Sequence, residues 1–257
     1  MADFIEGSFT IEKTVAQKFF EALGAFVPEC RLHITKTGIF ARAVDFANIG
    51  MVDVNLNVFT TFNYDHETPT ILGIDVSQIQ NVFQVISDPD PVTFSWKWGV
   101  QKDLLNISSK NYELSFDLLD VHTIRKDPNP PILTLDTMFQ VNGERLAIGV
   151  RLVSVITDNC YIEATPDSCV IGGEGEKTRS NYSLDSHSNT RAKARYSLDY
   201  LKDIVKVLKG VQVIVKIGDD RPLSITMTDP PAPLAGLSIN YLLAPRFDAD
   251  HYNGDVK

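Results

Sequence analysis

The chain has 257 residues, 44% of them hydrophobic, so it can bury one large core or two cores of about 120 residues each. It has no run of 18 apolar residues, and its first seven residues lack the basic and apolar regions of a signal peptide, so we expect a soluble intracellular protein. The formal charge of −9, taken as a sum, argues against a nucleic-acid binder, because phosphate contacts need cationic surface; a local distribution of charge can overrule that sum.

The first half of the chain predicts two helices and several strands. Residues 13–26 and 75–86 place apolar side chains at helical spacing, whereas residues 31–34 and 92–98 alternate as strands do. Helical patterns recur at 145–156 and 197–208, the second of them 122 residues after its counterpart. Ile34 and Ile156 are separated by the same 122 residues. The sequence therefore predicts two copies of one α+β unit, each with two helices among many short strands.

A proline-rich segment separates the two copies. Three of the four residues 128–131 are prolines, which cannot continue a helix or a central strand, so an extended surface linker is expected. The predicted division is a first domain at 1–118, a linker at 119–131, a second domain at 132–247 and a polar tail at 248–257.

The last apolar segment, residues 241–247, contains Pro245. Because proline lacks a backbone donor and biases the preceding residue toward extended conformations, this segment is predicted to leave a strand and run over the surface. Such an apolar segment is expected to pack into something or to offer a groove.

Patterns for catalysis and metal binding are missing from the sequence. Cys30, Cys160 and Cys169 form no CxxC pair, so we expect structural thiols that are buried or half-buried. The glycines of residues 172–175 are not followed directly by the Lys-Ser/Thr of a phosphate loop, and Asp219 and Asp220 are typical turn residues. The histidines show no metal-ligand spacing: His33, His66, His122, His187 and His251. We therefore expect a protein that is not an enzyme and that has no metal and no cofactor.

Four motifs carry a family resemblance. Residues 38–56, IRKDP at 124–128, SLDYLK at 197–202 and LLAPR at 242–246 together resemble the archaeal form of the DNA sliding clamp PCNA, in the same order and over residues 7–247. The resemblance implies an α+β fold of two similar DNA-clamp domains, each with antiparallel sheets outside and two helices inside. It further implies a ring-forming homotrimer that encircles double-stranded DNA without reading its sequence, in the cytoplasm and at the nucleoid of an archaeon.

The same resemblance places basic side chains of the helices in the lumen of the ring, facing DNA. Three lysines of the fourth helix fall within one narrow stripe, although such a triplet is also typical of a solvated helix face. Arg145 and Arg151, about 120° apart on a helix, cannot share a stripe, and residues 75–86 contain no Lys or Arg. The candidate DNA-facing residues are Lys13, Lys18, Arg145, Arg151, Lys202, Lys206 and Lys209.

By resemblance, a hydrophobic pocket beneath the linker accepts short peptides from DNA polymerase, the clamp loader (replication factor C), flap endonuclease and DNA ligase; no membrane partner is implied. Ordinary core packing is the competing interpretation for these apolar residues. Phe46 and Arg221 depart from the residues expected in the family, and Phe46 is predicted to narrow the groove. The pocket candidates are Val44, Ile49, Met51, Ile124, Pro128, Pro130, Pro222, Leu223, Leu242, Leu243, Ala244, Pro245 and Phe247.

Closure of a trimer needs two sheet edges that pair between subunits. By resemblance these are residues 110–118 and 179–185, with Tyr112, Leu114, Phe116, Asn181, Tyr182 and Leu184 as the candidate contacts. An auxiliary or checkpoint-type clamp subunit, which acts in a heterotrimer, is the alternative function. A hydrolytic α+β enzyme would need a pocket lined with perturbed acids, which nothing in the sequence supports.

Overall fold

A computed structural model describes residues 5–98, 103–227 and 230–247, and these divide into two compact units. The first unit comprises the described residues of 5–46, 52–129 and 230–239, and the second those of 47–51, 130–227 and 240–247. Relative to the predicted domains, 1–118 and 132–247, residues 47–51 belong to the second unit and residues 230–239 to the first. The predicted domain boundaries remain a prediction. The predicted polar tail, 248–257, lies outside the described residues.

The first unit contains two helices and two antiparallel groups of strands. In chain order its elements are β1 (Ile5–Ile11), α1 (Lys13–Gly24), β2 (Glu29–Thr35), β3 (Gly38–Val44), β4 (Gly50–Leu56), β5 (Thr61–Asn63), β6 (Thr70–Asp75), α2 (Val76–Val85), β7 (Val92–Trp98), β8 (Leu104–Ser109) and β9 (Tyr112–Asp117). Strands β5, β1, β7, β8 and β9 are hydrogen-bonded in that order, as are β4, β3, β2 and β6. Strand β9 therefore forms an edge.

Helices α1 and α2 pack against each other through aromatic side chains. In α1, the apolar periodicity buries Val15, Phe19 and Leu23, as the pattern predicts. The ring of Phe20 stacks on that of Phe83 with centroids 6.0 Å apart, which links the two helices. Asp75 begins α2 by accepting a hydrogen bond from the Gln78 backbone N–H at 2.9 Å.

The second unit repeats this architecture. Its elements are β10 (Thr137–Asn142), α3 (Gly143–Val153), β11 (Asn159–Ala164), β12 (Cys169–Glu174), β13 (Arg179–Ser183), β14 (Ala192–Ser197), α4 (Leu198–Val207), β15 (Gln212–Ile217), β16 (Leu223–Met227) and β17 (Leu237–Leu243), of which residues 240–243 belong to this unit. Strands β13, β12, β11 and β14 are neighbours in that order, and so are β10, β15, β16 and β17. Strand β13 therefore forms an edge, as β9 does in the first unit.

A glycine allows α3 to begin close to the end of α4. A Cβ atom at Gly143 would collide with the backbone carbonyl oxygen of Leu208, so a larger residue cannot occupy this position without displacing backbone. Beyond α4, Gly210 adopts a positive φ of 77°, which glycine adopts without strain. The helix therefore stops where the backbone reverses.

The duplication is confirmed, but its offset is not uniform. Helices α2 and α4 begin 122 residues apart, at 76 and 198, whereas α1 and α3 begin 130 residues apart, at 13 and 143. The predicted correspondence of Ile34 and Ile156 is therefore wrong, because Ile34 lies in β2 and Ile156 follows α3 in a turn. The stretch between β3 and β6, residues 45–69, is eight residues longer than that between β12 and β14, residues 175–191.

The remaining element predictions are largely confirmed. Strand β17 ends at Leu243 and residues 244–247 continue without regular structure, so the apolar C-terminal segment does leave a strand.

Throughout the described ranges, no helix combines the length and the apolar character needed to cross a bilayer.

Candidate functional site

Three pocket candidates belong to the first unit: Val44, Ile124 and Pro128. Val44 ends β3 and, together with Ile124, lines a cavity of about 40 Å³, which has room for no more than a few water molecules. Ile124 is 3% exposed and thus packs into the unit instead of offering its side chain to a ligand. Phe46, which was predicted to narrow the groove, is 99% exposed.

Residues 119–127, which we call the linker strap, are held on the first unit. Leu119 donates its backbone N–H to the Gly73 carbonyl at 2.8 Å. Arg31 Nη2 donates to the Ile124 carbonyl at 3.1 Å and also to the carbonyl of Val121. His33 Nε2 lies 2.8 Å from Asp127 Oδ2. This part of the linker lies on the surface, where residues 122, 123, 125 and 126 are exposed. It is fixed there because its carbonyls and Asp127 find partners on β2.

The linker changes character after the strap. Residues 128–136 have no regular secondary structure, and the side chain of Ile132 is fully exposed. This part agrees with the predicted extended surface segment.

The pocket candidates of the second unit divide by exposure. Met51, Leu223 and Leu243 are 7%, 0% and 1% exposed and belong to the core. Ile49 and Phe247 are 37% and 55% exposed. Pro130 is exposed as well, whereas half-buried positions are held by Pro222, Leu242, Ala244 and Pro245.

The C-terminal segment is anchored by backbone hydrogen bonds on both sides. Ala244 N–H donates to the Ile49 carbonyl and Arg246 N–H to the Arg195 carbonyl, each at 2.8 Å. Arg246 and Phe247 then line a groove of about 310 Å³ together with Lys193, Arg195, Asp219 and Asp220. The prediction that this segment offers a groove is thus supported, and the groove has charged as well as apolar walls.

The lysines of the fourth helix are each accompanied by an aspartate. Lys202 Nζ lies 3.4 Å from Asp199 Oδ1, and Lys206 Nζ lies 2.7 Å from Asp203 Oδ1. Lys209 is not part of this helix, because α4 ends at Val207, so the predicted stripe of three lysines on one helix is wrong. Ion pairs between exposed side chains contribute about 0–1 kcal/mol and are screened by salt, so both lysines can exchange their aspartate for a phosphate.

Of the basic candidates on the other helices, three are less available and Arg151 is exposed. Lys13 Nζ donates to the Ile86 carbonyl at the end of α2, and burial lowers the pKa of Lys18, an effect that Glu21 partly offsets. Arg145 turns toward β13, where it donates to the Tyr182 hydroxyl at 2.9 Å and pairs with Asp185. Arg151 is 62% exposed and lies 3.5 Å from Glu144, which agrees with the prediction that the two arginines do not share a stripe.

The predicted trimer contacts lie on or next to edge strands. Tyr112, Leu114 and Phe116 lie on β9, and Asn181 and Tyr182 lie on β13. Leu114 is 37% exposed. Leu184, one residue beyond β13, is 1% exposed and packs within its own unit, so it is not an accessible contact.

No cluster of three potential metal-ligating side chains occurs among the described residues. His33 binds Asp127, and His187 Nδ1 lies 2.8 Å from the Asp167 carbonyl oxygen. His251 lies outside the described residues.

Sequence reasoning missed Arg31 and His33 as linker-binding residues. Both are long polar side chains at alternate positions of β2, whose intervening residues are buried. Such a polar face on an otherwise buried strand is the signal that would have indicated a partner segment.

Paired helices and antiparallel sheets in each unit, with β9 and β13 as terminal strands of their sheets, define the α+β clamp class of proteins. The family model described as "Proliferating cell nuclear antigen, N-terminal domain" matches residues 5–123. A DNA polymerase sliding clamp of Methanoregula boonei is 34% identical over 253 residues, covering 94% of this chain and 98% of the relative. The chain therefore belongs to the DNA polymerase sliding clamp family, PCNA.

A second relative agrees with this family membership, and a solved structure agrees with the fold. A DNA polymerase sliding clamp of Methanocorpusculum labreanum is 34% identical over 251 residues and covers 94% of this chain and 98% of the relative. The solved structure titled "C-terminal region of FEN-1 bound to A. fulgidus PCNA" has a TM-score of 0.84 at 23% identity, covering 95% of this chain and 99% of that chain. At that identity the structural likeness supports the fold.

Proposed function

We propose that this chain forms a homotrimeric ring that encircles duplex DNA and tethers replication and repair proteins to it. The observation that carries this proposal is the family relationship, which extends over 94% of the chain. The ring would act in the cytoplasm of an archaeon, at the nucleoid, as a tether without catalytic activity of its own.

The edge strands support assembly by head-to-tail pairing. Within the described residues, β9 and β13 each have a single hydrogen-bonded neighbour strand, β8 and β12 respectively. An edge strand of this kind is an aggregation hazard unless it is covered or paired. Pairing of β9 with β13 of the next copy is a heterologous contact, and three such contacts close a ring.

Light scattering at several protein concentrations tests the assembly. A homotrimer has a mass near three times 28.6 kDa. A chain that stays monomeric at all concentrations would contradict the homotrimer and favour the heterotrimeric alternative.

The DNA contact is proposed to be sequence-independent and loose. Lys202, Lys206 and Arg151 are the best candidates, because their ion pairs are solvent-exposed and exchange readily. Contacts to phosphates carry no sequence information, which is what sliding requires.

The peptide-binding surface is proposed to use the exposed members of the candidate set. In the second unit these include Ile49 and Phe247, with Ala244 and Pro245 beside them. An exposed apolar surface of this kind suits an aliphatic or aromatic anchor of a partner peptide. Titration of the chain into a fluorescein-labelled C-terminal peptide of an archaeal flap endonuclease tests this proposal, and an absence of binding would contradict it.

A further inference from the structure

The linker strap is attached to the first unit at both of its ends. At its start, the Leu119 N–H donates to Gly73, and at its end Asp127 accepts from His33. Between these points Arg31 donates to two strap carbonyls, and Arg125 Nη1 donates to the Asp45 carbonyl at 2.7 Å. The strap is thus held by side chains as well as by backbone.

Strand β2 presents its polar residues to the strap. Arg31 and His33 are separated by one residue and therefore lie on one face of the strand, while Leu32 and Ile34, on the other face, are 1% and 0% exposed. The imidazole of His33 stacks on the ring of Phe40, with centroids 4.5 Å apart and planes 8° from parallel. This stacking restricts the orientation from which Nε2 meets Asp127.

Asp127 depends on His33 for its hydrogen bond. Its Oδ1 atom is buried and has no hydrogen-bond partner among the described residues, while its Oδ2 atom meets His33. The side chains of His33 and Asp127 are 12% and 30% exposed. Removing His33 would leave the Asp127 carboxylate poorly solvated and without a partner for Oδ2. Because this is costly, the end of the strap would detach.

The position of Asp127 also sets the course of the following residues. It precedes Pro128, and a residue before proline is restricted to extended conformations. Fixing Asp127 therefore fixes the direction in which the candidate pocket residue Pro128 leaves the strap.

We propose that His33 is a positioning residue for partner binding, acting through Asp127 on the linker strap and Pro128. This inference rests on the proposed peptide-binding function. His33 does not touch the peptide; it holds the strap in the conformation that the peptide meets, and so reduces the ordering cost of binding.

A double-mutant cycle tests the proposal. The variants His33→Ala, Asp127→Ala and the combination of the two are titrated with the fluorescein-labelled flap endonuclease peptide. Each single variant is expected to raise Kd about three- to tenfold, the range for loss of one hydrogen bond, and the combination to raise it no further. Amide hydrogen exchange of residues 119–127 is expected to accelerate in all three variants.

Two controls make the result specific. His122→Ala removes an exposed imidazole from the strap itself and is expected to leave Kd unchanged. His33→Gln keeps an N–H donor near the position of Nε2 and is expected to restore most of the affinity. His33→Phe keeps a ring to stack on Phe40 but has no donor for Asp127, so it replaces His33→Ala if that variant does not fold.

Unchanged Kd values in folded His33 and Asp127 variants would overturn the positioning role, even if thermal stability falls. Additive effects of the two substitutions would overturn it as well. Failure of the wild-type chain to bind the peptide is a different result, because it contradicts the proposed function itself and the positioning role with it.

Discussion

At the scale of single residues, two cysteines occupy equivalent places in the repeated units. Cys30 and Cys160 are the second residues of β2 and β11, and each is 2% exposed. Burial raises the pKa of the Cys160 thiol to about 12 and also raises that of Cys30, where Asp127 and Glu29 add to the effect. The expectation of buried or half-buried cysteines is confirmed, since all three are buried.

The buried thiols predict a loss of stability in alkaline solution. Above the ordinary thiol pKa of 9.0, Cys160 ionises in the unfolded chain but stays protonated in the folded one, up to a pH of about 12. The unfolded state then binds fewer protons, so the free energy of unfolding falls as pH rises through this window. Urea unfolding at about pH 8 and about pH 10.5 measures the fall. It is expected to be smaller in Cys160→Ala, and an equal fall would contradict the assignment.

Charge reversal at Lys206 is expected to impair the hold on DNA. Lys206 is 70% exposed on α4, so Lys206→Glu replaces a phosphate contact by repulsion. Retention of the loaded ring on circular DNA at low salt is expected to fall severalfold, with peptide affinity unchanged. Lys216→Glu is the matched control, because Lys216 lies on β15, exposed and opposite the buried Val213, Val215 and Ile217. Equal loss in both variants would contradict a specific role for α4.

At the scale of elements, the C-terminal segment divides into a buried strand and an exposed end. Tyr241 and Leu243 of β17 are 0% and 1% exposed and stabilise the core, whereas Phe247 lies beyond the strand and is 55% exposed. A joint substitution of Leu242 and Leu243 therefore cannot isolate a peptide site, because Leu243→Ala is expected to cost about 2–5 kcal/mol of stability.

Phe247→Ala is the sharper test of this segment. Loss of an exposed aromatic anchor is expected to raise the Kd of the flap endonuclease peptide about tenfold or more, with little change in the melting temperature. Met138→Ala, at a 44% exposed apolar position on β10, is the control and should bind normally. Wild-type affinity in Phe247→Ala would remove this residue from the proposed surface.

At the scale of the whole molecule, the proposed ring depends on two different edges. Strand β9 carries the acidic residues Glu113 and Asp117, whereas β13 begins with Arg179. Opposite charges on the two edges favour pairing of unlike edges over pairing of like ones. A head-to-tail ring follows more readily from this arrangement than a symmetric dimer.

A charge at the centre of β9 is expected to dissociate the trimer. Leu114 is 37% exposed, so Leu114→Asp buries an unpaired carboxylate only if the edge becomes an interface. Light scattering should then report the monomer mass of 28.6 kDa, with circular dichroism unchanged. Met138→Asp introduces the same charge at a similarly exposed site on another edge strand and should stay trimeric. A trimeric Leu114→Asp protein would exclude β9 as the interface.

Local patterns predicted most of the elements. The pattern at 75–86 became α2, Val76–Val85, and the alternation at 92–98 became β7 with the same bounds, because helical and strand periods are properties of neighbouring residues. The equivalence of Ile34 and Ile156 failed because loop lengths differ between the units. Lys209 was misassigned because a helix end depends on the backbone turn at Gly210 more than on side-chain spacing.

The sequence by itself determined the duplicated α+β architecture and the family, since periodicity and the order of motifs are written along the chain. Only the tertiary structure decided which candidate residues are accessible: it buried Ile124, Leu184, Leu223 and Leu243, and left Phe46 and Phe247 exposed. It also joined His33 to Asp127, which is 94 positions away. Exposure and such pairings depend on contacts between distant segments, and those contacts exist only after the chain has folded.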